Sequence, residues 1–294
     1  MFDIAFVGHY TKDTIVYPQH TRTVDGGAFF YGANVAARLG LRVAVVTRLA
    51  REDWHVVTAL ERLGVTVSAR ETPASTCLRL IYPTANLDQR TIELTSSAGP
   101  FSLEEVAGIH ARAVAIGASV RGEVPGEIVE ALAGIGAMVA VDVQGFMRVL
   151  HDGVLGHDRW PDKESILRHV SVLKTDAVEA EMLTGEADRH AAARRLAALG
   201  PREVLMTHGG GVLVHHDGLF HEAPFVVAEV RGRSGRGDTC TSAYLSRRLT
   251  ADPADAVAWA AAVTSLKLEA EGPFRRDVAA VQSLYDRIRA RERG

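Results

Sequence analysis

The sequence predicts an α/β fold with a central, mostly parallel sheet flanked by helices, plus a small β-sheet lid, in one domain covering residues 1–294. Three observations predict it. Short apolar runs alternate with segments of helical period along most of the chain, the pattern of parallel strands joined by crossover helices. One stretch, about 65–97, breaks that pattern with period-two alternation and no helix between its strands. Composition is that of an ordinary globular chain, 47% hydrophobic and 23% charged, long enough to bury its own core.

In chain order, Ile4–Gly8 reads as a buried strand, and Gly26–Gly40 as a small-residue helix carrying Ala33, Ala36, Ala37 and Leu39. Val43–Leu49 is the next strand. Asp53–Leu63 is an amphipathic helix with Val56, Val57, Leu60 and Leu63 on one face. Cys77–Tyr82 and Thr91–Thr95 alternate around turn residues Asn86-Leu87-Asp88, which suits a lid or an antiparallel edge of the main sheet. Ala113–Gly117, Met138–Val143, Val170–Lys174 and Val204–Thr207 read as further strands. Gly126–Ala133, Val178–Leu183 and Ala187–Leu199 read as helices. Gly211–His216 and Leu219–Phe225 form a hairpin around Asp217-Gly218. Two helices follow, Asp238–Leu249 and Pro253–Ala270; the second has Asp252 as N-cap, Pro253 at its first position and Gly272-Pro273 as its stop. Arg275–Gly294 reads as a charged C-terminal helix.

Net charge is −3, which gives no reason to expect a nucleic-acid or membrane partner. The N-terminus lacks a basic, apolar leader, and no run is apolar enough to span a bilayer. Two distant cysteines, Cys77 and Cys240, fit a reducing cytoplasm. There is no Gly-x4-Gly-Lys P-loop, zinc motif, Gly-x-Ser-x-Gly elbow or protein-kinase loop.

The most informative segment is Arg231-Gly232-Arg233-Ser234-Gly235-Arg236-Gly237-Asp238-Thr239-Cys240. Its glycines let the backbone approach an anion, and the helix that follows adds free N–H groups at its positive end. Asp238 at that helix start suits a base for an attacking hydroxyl. Read alone, the same residues fit a Gly-rich turn with an Asp cap better than a catalytic site.

The segment resembles the Gly-Ala-Gly-Asp signature of the ribokinase, or PfkB, family of carbohydrate kinases. That resemblance implies a ribokinase-like three-layer fold, an anion hole of Gly235, Arg236 and Gly237 amides, and Asp238 as catalytic base. Arg236 stands where alanine is usual, and Gly232 where an aspartate often begins the motif. The resemblance runs over nearly the whole chain. Gly26-Gly27 entering an Ala-rich helix that ends in Leu39-Gly40 is similar to the family's first signature, which implies a substrate pocket near Gly26, Gly27, Tyr31 and Asn34. Asp13, just beyond the first strand, matches an aspartate that binds substrate hydroxyls. Lys174 to Glu179 resembles the Asn-x-x-Glu motif with Asp176 in place of asparagine; it implies Mg2+ near Asp176 and Glu179 and phosphates near Lys174. Those two acidic residues also read as a helix capping box. Thr207, Gly209 and Gly211 resemble a nucleotide loop, and Arg148 is a candidate contact to phosphate or substrate.

The implied reaction is transfer of the ATP γ-phosphoryl group to a sugar, cyclitol or nucleoside hydroxyl, with the inositol-kinase-like branch suggested. Segments 14–23 and 67–97 would form the lid, through which a homodimer could assemble. A monovalent cation is compatible with the pattern. A nucleoside kinase, with Phe29, Phe30 and Tyr31 stacking on a base, and a non-catalytic binding protein are the alternatives.

Overall fold

A computed structural model describes residues 1–84 and 89–292. Strands along the chain are β1 Phe2–Val7, β2 Thr11–Val16, β3 Thr21–Gly26, β4 Val43–Leu49, β5 Thr66–Glu71, β6 Thr76–Ile81, β7 Thr91–Ser96, β8 Ala111–Ile116, β9 Met138–Asp142, β10 Arg148–His151, β11 Val154–His157, β12 Val172–Asp176, β13 Glu203–Thr207, β14 Gly211–His216 and β15 Leu219–Pro224. Helices are α1 Ala28–Arg38, α2 His55–Glu61, α3 Leu103–Val106, α4 Gly126–Gly134, α5 Gln144–Met147, α6 Lys163–Leu167, α7 Ala177–Thr184, α8 Arg189–Ala197, α9 Arg236–Arg248, α10 Pro253–Leu268 and α11 Val278–Glu292. The turn expected at Asn86-Leu87-Asp88 lies outside the described residues, as do the last two residues of the expected C-terminal helix.

The large sheet runs β15-β14-β13-β12-β9-β8-β1-β4-β5 among the described residues. Its pairs are parallel from β5 through to β13; β14 and β15 close it as an antiparallel hairpin. Period-two geometry divides each strand between two layers. On β1, Ile4 and Phe6 enter a core with α1, α2, α9, α10 and α11, whereas Ala5 and Val7 enter a core with α4 to α8. This is the expected three-layer α/β arrangement.

A second sheet, ordered β10-β11-β7-β6-β2-β3, lies beside the first. Asp13 pairs with Leu78, Ile15 with Leu80, and these leucines pair with Leu94 and Ile92. Directly paired residues share a face, so Asp13 lies on the side that carries Ile15, Leu78, Leu80, Ile92 and Leu94. Two features differ from the expected lid. All but the first residue of β5, Thr66–Glu71, falls inside the predicted 67–97 range, but the strand pairs with β4 as the outer strand of the large sheet. Its half-exposed alternation is that of an edge strand, which has the same period as a lid strand. The β10-β11 hairpin, not anticipated, pairs with β7. Ion pairs tie this sheet to the body: Lys12 to Asp53 at 2.7 Å, and Arg22 to Glu271.

Candidate active site

Strand order runs outward in opposite directions on either side of β1 and β8, which creates a crevice at their C-terminal ends. Helix α9 points its N-terminus there. Gly235 caps it in the left-handed region, at φ 73°. A Cβ on Gly235 would also lie 2.3 Å from the Tyr31 ring, so glycine is required both by conformation and by space. Tyr31 reaches this point because α1 and α9 pack closely: Ser242 Oγ donates to the Gly32 carbonyl at 2.7 Å.

A Cβ on Gly237 would meet Lys174 Nζ at 3.2 Å and Asp142 Oδ2 at 3.8 Å. Lys174 ends 3.6 Å from Asp142 Oδ2 and is almost fully buried. The ends of β9 and β12 therefore meet the start of α9 through one lysine. Burial opposes the Lys174 charge, but Asp142, Glu179 and Asp176 outweigh it and hold its pKa above the usual value. Asp238 is half-buried; burial and the Asp142 charge push its carboxyl up to about 6, against the pull of Lys174 and Arg148. A small cleft lined by Phe6, Ala28, Gly117, Asp142, Asp238 and Thr241 lies there.

Arg148 opens β10, where burial lowers its pKa and Glu179, Asp142 and Asp176 oppose that effect. It also acts on Asp13, whose carboxyl burial pushes up to about 6 while Arg90 and Arg148 pull it down. A Cβ on Gly26 would sit 2.7 Å from Asp13 Oδ2, and Gly27 begins α1 at φ 101°. Asp13, Gly26, Gly27, Tyr31 and Arg148 are thus gathered near Asp238. Asn34 is not: its Nδ2 donates to the Phe30 carbonyl of its own helix at 2.9 Å.

Asp176 and Glu179 form the expected capping box at the start of α7, each accepting the other's backbone N–H at 2.9 Å. Burial, then Asp142, raises Glu179 to about 7, with Lys174 opposing. Thr207 lies beside Asp176 in register on β13. Gly211 leaves room for the β15 backbone, since a Cβ would lie 2.3 Å from the Ala223 carbonyl; Gly209 is open. The Arg236 amide donates to the Arg233 carbonyl at 3.2 Å, closing the turn before α9. Its charge reaches His208, whose pKa is lowered by burial first and by Arg189 and Arg236.

Residues 2–275 match the family model described as pfkB family carbohydrate kinase. The chain belongs to this family. A solved pyrophosphate-dependent kinase of the ribokinase family, in complex with sulfate, is 35% identical, with a TM-score of 0.89 over 95% of this chain and 99% of that one. Another, complexed with a pyrophosphate analogue and myo-inositol, is 34% identical, with a TM-score of 0.88 over 95% and 99%. Ribokinase from Arabidopsis thaliana, complexed with ribose and ATP, shares the fold at 20% identity, with a TM-score of 0.78 over 97% and 98%. The cytidine kinase of Thermococcus kodakarensis is 26% identical over 262 residues, 84% of this chain and 88% of that protein. This PfkB-type kinase has a ribokinase fold, and its relatives act on small molecules.

Among the described residues, no three acidic, His or Cys side chains are grouped closely enough to cage a metal. The hard oxygens of Asp176 and Glu179 fit Mg2+ as outer partners of an ion carried by donor phosphates and water. Such an ion would offset charge on the donor. Sequence reading passed over Lys267, although it is the lone basic residue of α10 and therefore visible as an exception.

Proposed function

We propose that this kinase phosphorylates a hydroxyl of a cyclitol of the myo-inositol type, with pyrophosphate as donor. The observation that carries the chemistry is Asp238, half-buried at the α9 N-terminus beside Lys174 and Arg148, with a carboxyl near 6. At neutral pH that carboxylate is ionised yet basic enough to take a hydroxyl proton. The acceptor oxygen bonds to the terminal phosphorus, the bond from phosphorus to the bridging oxygen breaks, and orthophosphate leaves. The backbone amides of Gly235 and Gly237 and the Lys174 charge stabilise the transferring group, whereas the Arg236 amide is engaged by the Arg233 carbonyl. Asp13, Tyr31 and Arg148 orient the acceptor.

The pyrophosphate donor is supported by the structures 34–35% identical to this chain and by Arg236 within the glycine loop. Guanidinium groups suit a compact, highly charged donor. ATP is the second reading, favoured by the Thr207 to Gly211 loop, whose Gly209 is open to a ligand. A nucleoside acceptor is less well supported, because Phe29 and Phe30 pack into the core and present no stacking face. Both cysteines are free, as a reducing cytoplasm would leave them.

The test crosses two donors, pyrophosphate and ATP, with a panel of inositols, sugars and nucleosides in the presence of Mg2+. The expected outcome is highest kcat/KM for myo-inositol with pyrophosphate. Preference for a nucleoside by an order of magnitude would reject the acceptor assignment, and ATP outperforming pyrophosphate would reject the donor.

A further inference from the structure

Lys267 lies in the last turn of α10 and is 2% exposed. Its Nζ donates to the Gly232 carbonyl at 2.8 Å and lies 5.7 Å from the centre of the Tyr31 ring. Among the described residues, no carboxylate stands within ion-pair distance of it. Glu271, the nearby acid that favours its charge together with Asp238, is engaged by Arg22. A buried ammonium without a carboxylate partner is expensive, and burial pushes this one down to about 8. Structure alone gives little reason to keep it. A methionine has a stem of similar length and carries no charge to bury.

Position supplies the reason. The Gly232 carbonyl belongs to the loop that delivers Gly235 and Asp238. That loop is clamped at the end of α10: the amides of Arg231 and Gly232 donate to the Leu268 carbonyl at 2.8 and 3.2 Å. A Cβ on Gly232 would sit 2.5 Å from the Ala270 carbonyl, so no acidic side chain fits there. The loop thus lacks the carboxylate that could hold a dissolved cation and has a lysine ammonium on its carbonyl instead. The Tyr31 ring lies against Gly235 and also near this ammonium, which links the lysine to the cap of α9.

We propose that Lys267 is a resident monovalent cation for the anion hole. It fixes the 231–235 loop through the Gly232 carbonyl and supplies positive charge behind the phosphoryl group, so turnover needs no K+ from solution. It is a positioning residue, since it touches the loop and not the reacting atoms. The proposal rests on Gly235 to Asp238 being the phosphoryl site.

The test measures turnover of myo-inositol with pyrophosphate, and pyrophosphate affinity by calorimetry, at equal ionic strength in K+, ammonium or tetramethylammonium salts. The wild type should vary by less than about twofold among them. Lys267→Met keeps the apolar stem and removes the charge; it should lose about 10- to 100-fold in kcat and bind pyrophosphate more weakly. Lys267→Ala should lose as much and recover severalfold with ammonium but not tetramethylammonium, which a purely packing role would not produce. A wild type activated tenfold or more by K+ overturns the proposal, as does a Lys267→Met enzyme with unchanged kcat and affinity. The wild-type result holds even if the alanine variant fails to fold. Asp238→Asn is the control for the underlying reading. Lost turnover with retained pyrophosphate affinity supports that reading; retained turnover overturns it and the lysine proposal with it, whereas unaffected Lys267 variants beside an inactive Asp238→Asn overturn the lysine proposal alone.

Discussion

Asp238 combines two demands that conflict. A base needs a pKa close to working pH, and a stable fold avoids burying a carboxylate beside another one. Burial and Asp142 lift Asp238 to about 6, so kcat/KM should fall as pH drops through about 6, when the carboxylate takes a proton. The stability sign is opposite. A carboxyl raised in the folded state contributes stability below its unfolded pKa and loses it as pH rises through the folded value. The carboxyls of Asp13 and Glu179, near 6 and 7, act in the same sense. Asp238→Asn should therefore raise Tm at pH 8 by roughly 2 °C or more and have little effect at pH 4.5. Equal shifts at both pH values, in a calorimetric scan, would refute the burial argument. At this scale the sequence was informative about Asp238, because a Gly-rich helix start marks it. It was less informative about Asn34, which lies in the right helix but bonds to Phe30. Facing direction depends on packing that no local motif encodes.

At the scale of elements, the candidate site is the ends of β9 and β12 and the N-terminus of α9 brought into contact by small residues. Gly235 is one of the tight points of that assembly. Gly235→Ala forces a side chain into the Tyr31 ring and into a left-handed backbone. It should cost about 1–3 kcal/mol of stability and reduce kcat by more than the stability loss explains, because the α9 cap shifts relative to Lys174. Denaturant unfolding with parallel kinetics measures both; a variant with wild-type kcat and midpoint would contradict this packing account. Most elements were legible, since buried parallel strands read as apolar runs and α10 carries its own N-cap and proline. The β10-β11 hairpin was not, because its short, half-exposed strands lack a strong period. Val67–Glu71 was placed in the lid because polar alternation looks alike in a lid strand and an edge strand.

For the whole molecule, the two sheets divide the work. The large sheet and its two helix layers hold Asp142, Lys174, Asp176 and the α9 helix in fixed relation. The small sheet brings Asp13 and an apolar face formed by Ile15, Leu78 and Leu80 toward them. We read this sheet as a cover whose closure excludes water from the phosphoryl group, held by the Lys12–Asp53 and Arg22–Glu271 contacts. The Gly235 to Asp238 loop, with Gly26-Gly27, Asp176 to Glu179 and Thr207 to Gly211 in the expected order, made the family recognisable, but donor choice was not legible: it depends on how charges cluster around a loop, and Arg236 alone does not fix it. No helix among the described residues is long and apolar enough to cross a membrane. The most direct test of the central claim is phosphorus NMR of myo-inositol and pyrophosphate incubated with wild type or Asp238→Asn. The account predicts equal amounts of inositol monophosphate and orthophosphate from the wild type, and a rate lower by about two to four orders of magnitude in the variant; equal rates in the two proteins would contradict it.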